Sequence, residues 1–544
     1  MKHTDHRTLN RLLRPRSIAM VGGKMVERAI RQCDLLGFEG DIWPVNPHRD
    51  EMYSRPCFRT IQDLPEPPDA AVVAVPREST IQVVGELAAT GAGGVVCYAS
   101  GFAEVGGKGI EYQKELDAAR GNMPLIGPNC YGMLNYQDGV ALWPDEQGGM
   151  RCQKGAAIIS QSGNITVSLT MQRRGVPVAF LISTGNMTGV KTHDYIHAML
   201  ENPDVTAIGL YLEGVVDAYD FSVAAIEALK KRVPIVVLES GQSTIGAKVP
   251  RTHSYSLSAD GQVSGAFYQK FGIIQVHSIP QLLETLKLVS LIPPDDNPTI
   301  ASISCSGGEA ALMADLVAEK NLEFAELSDT QRKRLYEVLG DRVNVSNPLD
   351  YHTYIWGDQV AQTECFQAVY EGSQNFNVNV IDFPIEGICD PIEWGVAIQS
   401  IKDAKENSGA NVVAVSTLHE NFPPKYQSTM LEYSIPPMMG MVECVDAMAD
   451  SVEYARKAKS VSSLMPLVNM MPCRGVEESL DEFEGKQHLL RAGMPVIAGE
   501  LVNSVEEAVD AASRLGYPVV AKMSSRGTIH KSDVDGVILD IQSD

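Results

Sequence analysis

One pattern recurs along this chain: a short apolar run, a turn of small residues, then a stretch whose apolar positions follow helical spacing. "SIAMVGG" leads into "VERAIRQCDLLGF", "GAAIISQSGN" into "ITVSLTMQRRG", and "TIASISCSGG" into "EAALMADLVAEKN". Near-continuous apolar strands are buried on both faces, and a helix after each strand lets the next strand pair parallel to it. The pattern therefore predicts an α/β protein of parallel sheets covered by helices. At 544 residues the chain exceeds a single core, so several such units are expected.

Four segments follow. Residues 10–137 hold "SIAMVGG", "GDIWPVNP", "AAVVAVP", "GGVVCYASGF" and "PLIGPNCYG", and read as a Rossmann-like domain. Residues 150–293 and 297–465 each open with strand, Ser-Gly turn and helix, and read as a repeated flavodoxin-like, doubly wound unit. Residues 475–544 read as helix, strand, helix, strand, loop and strand, with the stretch from 457 to about 479 as the linker before them.

Bulk properties narrow the function. The net charge of −23 excludes the basic surface that nucleic acids or anionic membranes require, yet leaves room for an anion held by backbone amides at a helix end. The ten cysteines are scattered without a C-x-x-C pair, against a disulfide framework or a zinc knuckle. The opening "MKHTDHRTLNRLLRPRS" has no apolar core, and no run is long enough to span a membrane. A reduced, cytoplasmic protein is expected.

The Ser-Gly turns are the first candidates for chemistry. A strand that ends in such a turn and enters a helix offers free N–H groups, a hydroxyl and the positive end of the helix dipole. Ser162, Gly163 and Asn164 form one turn, and Ser306, Gly307 and Gly308 the other. Each fits phosphate binding or a plain N-cap; two matching turns in neighbouring units favour a shared anionic ligand. Neither "SQSGN" nor "SCSGG" is the G-x-S-x-G of a hydrolase elbow. Gly22-Gly23 falls short of G-x-G-x-x-G, so a bound dinucleotide or CoA and a simple tight turn both remain open there.

His253 sits in "VPRTHSYSLSADG", a hydroxyl-rich loop past a buried strand. It is either a solvated side chain or a nucleophile, and a nucleophilic imidazole needs a carboxylate on its other nitrogen. Glu213, at the end of "AIGLYLEG", falls at the strand edge where ligands bind in open α/β sheets, and is the candidate partner. His193 and His197 stand four apart on a predicted helix but lack the flanking Glu and a third ligand, so no metal site is assigned. Trp43, Trp143, Trp356 and Trp394 are read as packing residues. Lys522 ends the strand "PVVAK" and fits either a phosphate contact or a snorkelling surface residue.

Taken together, these motifs resemble the NDP-forming (ADP-forming) acyl-CoA synthetases, relatives of succinyl-CoA synthetase. "GPNCYGMLN" resembles the CoA-domain signature, "ISQSG" and "SCSGGEAALMAD" the turns of the two ligase domains, "NPLDY" the motif after the second, and "GYPVVAKMSSRGTIHKSDVDGV" the opening of the ATP-grasp domain. The resemblance implies that ATP phosphorylates His253, that the phosphohistidine passes its phosphoryl group to a carboxylic acid, and that CoA thiol attacks the resulting acyl phosphate. It implies Glu213 as the carboxylate steadying the histidine. Ser162, Gly163, Asn164, Ser306, Gly307 and Gly308 become phosphate-binding, Gly22, Gly23, Pro128 and Asn129 CoA-binding, and Lys522 nucleotide-binding. The implied cofactors are ATP, CoA and Mg²⁺, the implied state a homo-oligomer, and the implied acid a hydroxycinnamate such as ferulate.

Two departures stand out. "VGGKMVERA" is shorter than the family's first glycine loop, and the ATP-grasp resemblance breaks off at Asp544, so a fragment is expected, with the Mg²⁺ ligands beyond that residue. The alternatives are a ligase for a short aliphatic acid or dimethylsulfoniopropionate, and a non-catalytic CoA-binding regulatory subunit. An NAD-dependent dehydrogenase would rest on the Rossmann-like start alone.

Overall fold

The structure is a computed structural model that describes residues 6–243, 245–246, 261–468, 480–524 and 536–544. The chain divides into two compact units, Met1–Val468 and Asn469–Asp544.

The larger unit contains three multistranded sheets. The first is built from β1 (Ser17–Gly22), β2 (Asp41–Val45), β3 (Ala70–Ala74), β4 (Val95–Cys97) and β5 (Leu125–Ile126), in the order β2-β1-β3-β4-β5 and parallel throughout. The second comprises β6 (Gly132–Asn135), β7 (Val140–Leu142), β8 (Gly155–Ser160), β9 (Val178–Ser183), β10 (Val205–Leu212), β11 (Ile235–Glu239) and β12 (Ile274–Val276). Its order is β12-β11-β10-β8-β9-β6-β7. The third comprises β13 (Thr299–Ser304), β14 (Glu323–Phe324), β15 (Leu349–Asp350), β16 (Phe376–Val380), β17 (Val412–Ser416) and β18 (Pro437–Met439), in the order β14-β13-β16-β17-β18, with β15 also paired to β13.

All three sheets share one logic. Among the parallel strands of each, with the short β15 left aside, the second in sequence lies beside the first, and the third, fourth and fifth follow on the other side. In the second and third sheets this is the doubly wound, flavodoxin-like order. Strand order reverses between the first and third strands, and the crevice outside their carboxyl ends is where such sheets bind ligands. Those positions are Gly22 beside Ala74, Ser160 beside Tyr211, and Ile303 beside Asn379. Each predicted turn therefore follows a switch point.

The helices form where expected. α1 (Lys24–Leu36) buries Val26, Ala29, Ile30, Cys33 and Leu36 on one face, and Gly37 ends it in the left-handed conformation at φ 70°. The central strands β1, β8 and β11 are buried at every position. Each fully buried Leu, Ile or Val there stabilises the fold by roughly 1.5–3 kcal/mol.

Two features were not expected. β6, inside the 10–137 segment, pairs antiparallel with β9 and so extends the second sheet. In the smaller unit, α6 (Glu482–Arg491), α7 (Val505–Leu515), β19 (Val519–Lys522) and β20 (Val537–Ile541) form as read, with β19 and β20 antiparallel. The strand expected at "MPVIAGE" does not form: residues 494–500 carry no strand, because no neighbouring strand pairs with them among the described residues.

A buried ionic joint ties the second sheet's layer to the third's. α3 (Ile279–Leu291) presents Glu284 and Lys287, both fully buried, 2.7 Å apart. Lys287 Nζ also donates to the carbonyls of Arg174 at 2.7 Å and Pro437 at 2.5 Å. Glu284 accepts from Arg174 Nη1 at 3.0 Å and from the Met439 amide at 3.1 Å. Two buried charges are tolerable here because hydrogen bonds surround them.

Candidate functional site

The second sheet's turn is held by its own side chains. Ser160 Oγ accepts from the Ser162 amide at 3.2 Å and donates to the Ser162 carbonyl at 3.0 Å. Ser162 is the N-cap of α2 (Gly163–Thr170), its hydroxyl accepting from the Ile165 amide at 3.4 Å. Gly163 and Asn164 supply first-turn amides, the kind of N–H groups that suit an anion at a helix start.

Across the switch point, Glu213 follows β10, and its amide donates to Gln161 Oε1 at 2.5 Å. The structure thus brings Glu213 and the Ser162 turn together, with Gln161 as the bridge. Gln161 is 1% exposed and its Nε2 is buried without a hydrogen-bond partner among the described residues. Sequence reasoning passed over it; the available signal was its position between a buried strand end and an N-cap. His253 lies outside the described residues.

The glycines and the G-P-N-C motif line the neighbouring edge. Gly22 meets β3 so closely that a Cβ there would stand 2.6 Å from the Ala74 carbonyl oxygen. Gly23 starts α1 with open space on its Cβ side. Pro128 and Asn129 follow β5; Asn129 has φ 57°, and its amide donates to the Ala99 carbonyl at 2.9 Å. The loop after β9 is stitched to this motif: the Asn186 amide donates to Pro128 O at 3.0 Å and the Thr188 amide to Gly127 O at 3.1 Å. Tyr131 then lies against Gly163, so the first sheet's motif touches the second sheet's turn.

The third sheet's turn differs in charge. Ser306 precedes α4 (Gly307–Ala318) but makes no side-chain cap bond. A Cβ on Gly307 would stand 3.2 Å from Asp350 Oδ2, while Gly308 faces the Ser306 hydroxyl. Glu309 follows in the helix's first turn, and burial, reinforced by Asp382 and Asp350, pushes its carboxyl up to about 7. The Asp382 carboxylate accepts from the Thr417 amide and hydroxyl at 3.1 and 2.7 Å. This acidic surround went unread because its members are far apart in sequence. An anion at Ser306–Gly308 would meet less repulsion while Glu309 keeps its proton.

In the smaller unit, Lys522 pairs with Glu482 at 2.9 Å and lines a cavity of about 480 Å³. His197 is engaged by Glu227 at 2.7 Å, and His193 is buried beside Asp194. Among the described residues no group of three or more His, Cys, Asp or Glu side chains is set to hold a metal ion. Trp143 is fully buried, Trp43 is half-buried in β2, and Trp356 and Trp394 pack edge to face at 5.5 Å.

These features define a multi-domain α/β protein with a turn of small residues and a helix start after each switch point. Comparison with known proteins refines that class. The family model of a CoA binding domain matches residues 16–136, that of a succinyl-CoA ligase-like flavodoxin domain residues 153–289, and that of an ATP-grasp domain residues 473–544. A trans-feruloyl-CoA synthase from an unknown prokaryotic organism is 29% identical over 99% of this chain and 78% of its own length. An ADP-forming acetate–CoA ligase of Methanocaldococcus jannaschii is 27% identical over 96% of this chain and 76% of its own. A dinucleotide-forming acetyl-coenzyme A synthetase of Ca. Korarchaeum cryptofilum, solved with phosphate and ADP, shares the fold, with a TM-score of 0.75 at 21% identity over 86% of this chain and all of that one. The chain belongs to the NDP-forming acyl-CoA synthetases, a family of acid–thiol ligases.

Proposed function

We propose that this chain makes an acyl-CoA thioester from a carboxylic acid, CoA and ATP, releasing ADP and phosphate, and that the acid is a hydroxycinnamate such as ferulate. The observation that carries the ligase reading is the junction of Glu213 with the Ser162 turn through Gln161, beside the Pro128–Tyr131 motif. In this reading residues 10–137 bind CoA, 150–293 and 297–465 are the ligase domains, and 475–544 begin the ATP-grasp domain. Ferulate is supported by the feruloyl-CoA synthase relative; the acetate ligase relative keeps a short aliphatic acid as the second reading.

His253 attacks the γ-phosphorus of ATP, breaking its bond to the β–γ bridging oxygen and releasing ADP. Glu213 orients the imidazole and balances its charge. The amides of Gly163 and Asn164 and the hydroxyl of Ser162 hold the phosphoryl oxygens, with Ser306, Gly307 and Gly308 as the second holding turn. The substrate carboxylate then takes the phosphoryl group and frees the histidine. CoA thiol, delivered along Gly22, Gly23, Pro128 and Asn129, displaces phosphate. Lys522 contacts the ATP phosphates, and Mg²⁺ accompanies the nucleotide. The enzyme works as a cytoplasmic homo-oligomer; no helix among the described residues is long and apolar enough to cross a membrane.

The test is an assay with ATP, Mg²⁺ and CoA against ferulate, p-coumarate, acetate and dimethylsulfoniopropionate, with ADP and AMP both measured. ADP with feruloyl-CoA is the expected result, and His253→Ala should abolish both thioester formation and acid-labile phosphorylation. Acetyl-CoA with ADP would select the second reading. AMP as the product, or full turnover by the variant, would overturn the mechanism.

A further inference from the structure

A cavity of about 500 Å³ opens at the far end of α2 from the Ser162 turn. Eight residues of helix separate the two, or roughly 12 Å at 1.5 Å per residue. One wall is the end of α2 with the strand-leading segment Val176–Val178; the opposite wall is α5 (Pro424–Glu432) from the third sheet's layer. The two layers meet closely here: Gly175 has φ 67°, and a Cβ on it would stand 3.0 Å from Gln427 and 3.3 Å from Leu431. The volume falls in the range of small-molecule sites.

The polar groups around this cavity identify what it can hold. Thr170 Oγ1 is spent on the Val167 carbonyl, and Gln172 on the Val176 carbonyl and the Arg174 amide. Gln427 Nε2 donates to the carbonyls of Arg173 and Phe422. Tyr136 OH donates to Gln147, Cys152 Sγ to the Val178 carbonyl, and the Arg151 guanidinium is taken up by the carbonyls of Leu36, Gly37 and Gln137. Between them lie Leu169, Val176, Leu181 and Leu431. Arg173 and Ser428 are the exceptions: both line the cavity and are exposed, among the described residues neither side chain makes an ion pair or hydrogen bond, and of the two only Arg173 carries a charge.

An apolar chamber whose interior polar groups are already satisfied accepts an apolar body. One unmatched guanidinium at its edge accepts one planar anion, best a carboxylate held by two parallel hydrogen bonds. We propose that this cavity is a second binding site, distinct from the Ser162 turn, for an amphipathic carboxylate: an alkyl or aryl body between α2 and α5, with its carboxylate on Arg173. A cation just past a helix C-terminus also suits the helix dipole, but that role needs no cavity and no ligand, so the two readings separate by experiment.

The test is calorimetric titration of the full chain, without ATP or CoA, with octanoate, ferulate and uncharged octanamide. Wild type should bind octanoate or ferulate with a Kd below about 1 mM. Octanamide should bind at least about tenfold more weakly, because the charge-assisted pair is lost. Arg173→Ala should weaken the carboxylate about tenfold or more. Leu431→Trp, which fills the chamber and leaves Arg173 intact, should abolish binding; a melting curve checks that each variant is folded. No binding of either acid to wild type, equal binding of octanoate and octanamide, or undiminished binding to either variant would each overturn the proposal. The last outcome would place the acid elsewhere, the reaction site included. The titration needs no turnover, so its failure is separate from any failure of the ligase reading.

Discussion

Tyr131 packs against Gly163: a Cβ added to that glycine would stand 2.7 Å from Cδ2 of the tyrosine ring. The ring has little room to retreat, because the fully buried Trp143 lies behind it with ring centroids 5.3 Å apart. Gly163→Ala should therefore shift the first residue of α2 and cost about 1–3 kcal/mol of stability, the usual range for overpacking. Thioester formation should fall with it, since the displaced amides are those assigned to the phosphoryl group. Tyr131→Ala should restore part of the loss. A double-mutant cycle by urea denaturation checks this, with a coupling of about 1 kcal/mol or more expected if the contact is direct. Strict additivity would mean that the two residues do not meet.

Gly185 bears on CoA in the same way. It has φ 55°, and a Cβ there would overlap the Pro128 and Asn129 carbonyls. Both strain and space therefore forbid a side chain. Gly185→Ala should push the Pro128–Asn129 turn out of place and raise the KM for CoA about tenfold or more, an effect near 1.4 kcal/mol, while the KM for ATP stays within about twofold. Equal rises in both constants would show general damage instead.

Much of this arrangement was legible in the sequence because it is local. A strand, a small-residue turn and a helix occupy some twenty consecutive residues, so residue order alone puts Ser162, Ser306 and Gly22 at strand ends. What was not legible is long-range. Gln161 reaches Glu213 across 52 residues, and Asp350 and Asp382 come to the Ser306 turn through separate crossovers. Composition of a local window carries no trace of such meetings. The strand expected at "MPVIAGE" failed for a related reason: strand propensity becomes a strand only where a partner offers hydrogen bonds.

The buried joint on α3 should be the larger unit's most sensitive ionic site. Lys287→Met would leave Glu284 without its closest counter-charge and the Arg174 and Pro437 carbonyls without their shared donor. The expected cost is about 3–5 kcal/mol, as for other buried pairs broken on one side. Replacing both residues, Glu284→Leu with Lys287→Met, should cost less than the two single changes summed, because neither fully buried charge then faces a missing partner and only the partly exposed Arg174 loses its carboxylate. Denaturant titration of the four proteins measures this directly. A cost under about 1 kcal/mol for Lys287→Met would be the value of a surface pair and would rule out the burial described here.

The Glu309 carboxyl gives the protein a pH dependence of predictable sign. Burial, with Asp382 and Asp350 adding to it, lifts its pKa from 4.5 to about 7. Between those values the folded protein keeps a proton that the unfolded chain has lost, so this group's contribution to stability declines as pH rises from about 4.5 to about 7 and is level above. Asp450 acts with the same sign: burial first, then Asp446, lifts it from 3.8 to about 7 against the opposing charge of Lys320. His193 acts with the opposite sign, since burial lowers its pKa from 6.5. The prediction is therefore read as the difference between each variant and wild type. Glu309→Gln and Asp450→Asn should each gain denaturation midpoint relative to wild type as pH moves from 5 to 8, and the double variant should gain the sum, because no contact between the two carboxyls is expected across their separate helices. A difference that stays constant with pH would mean that Glu309 ionises as it does in water. In that case the Ser306 turn would face a full negative charge at neutral pH and could not hold phosphate unaided.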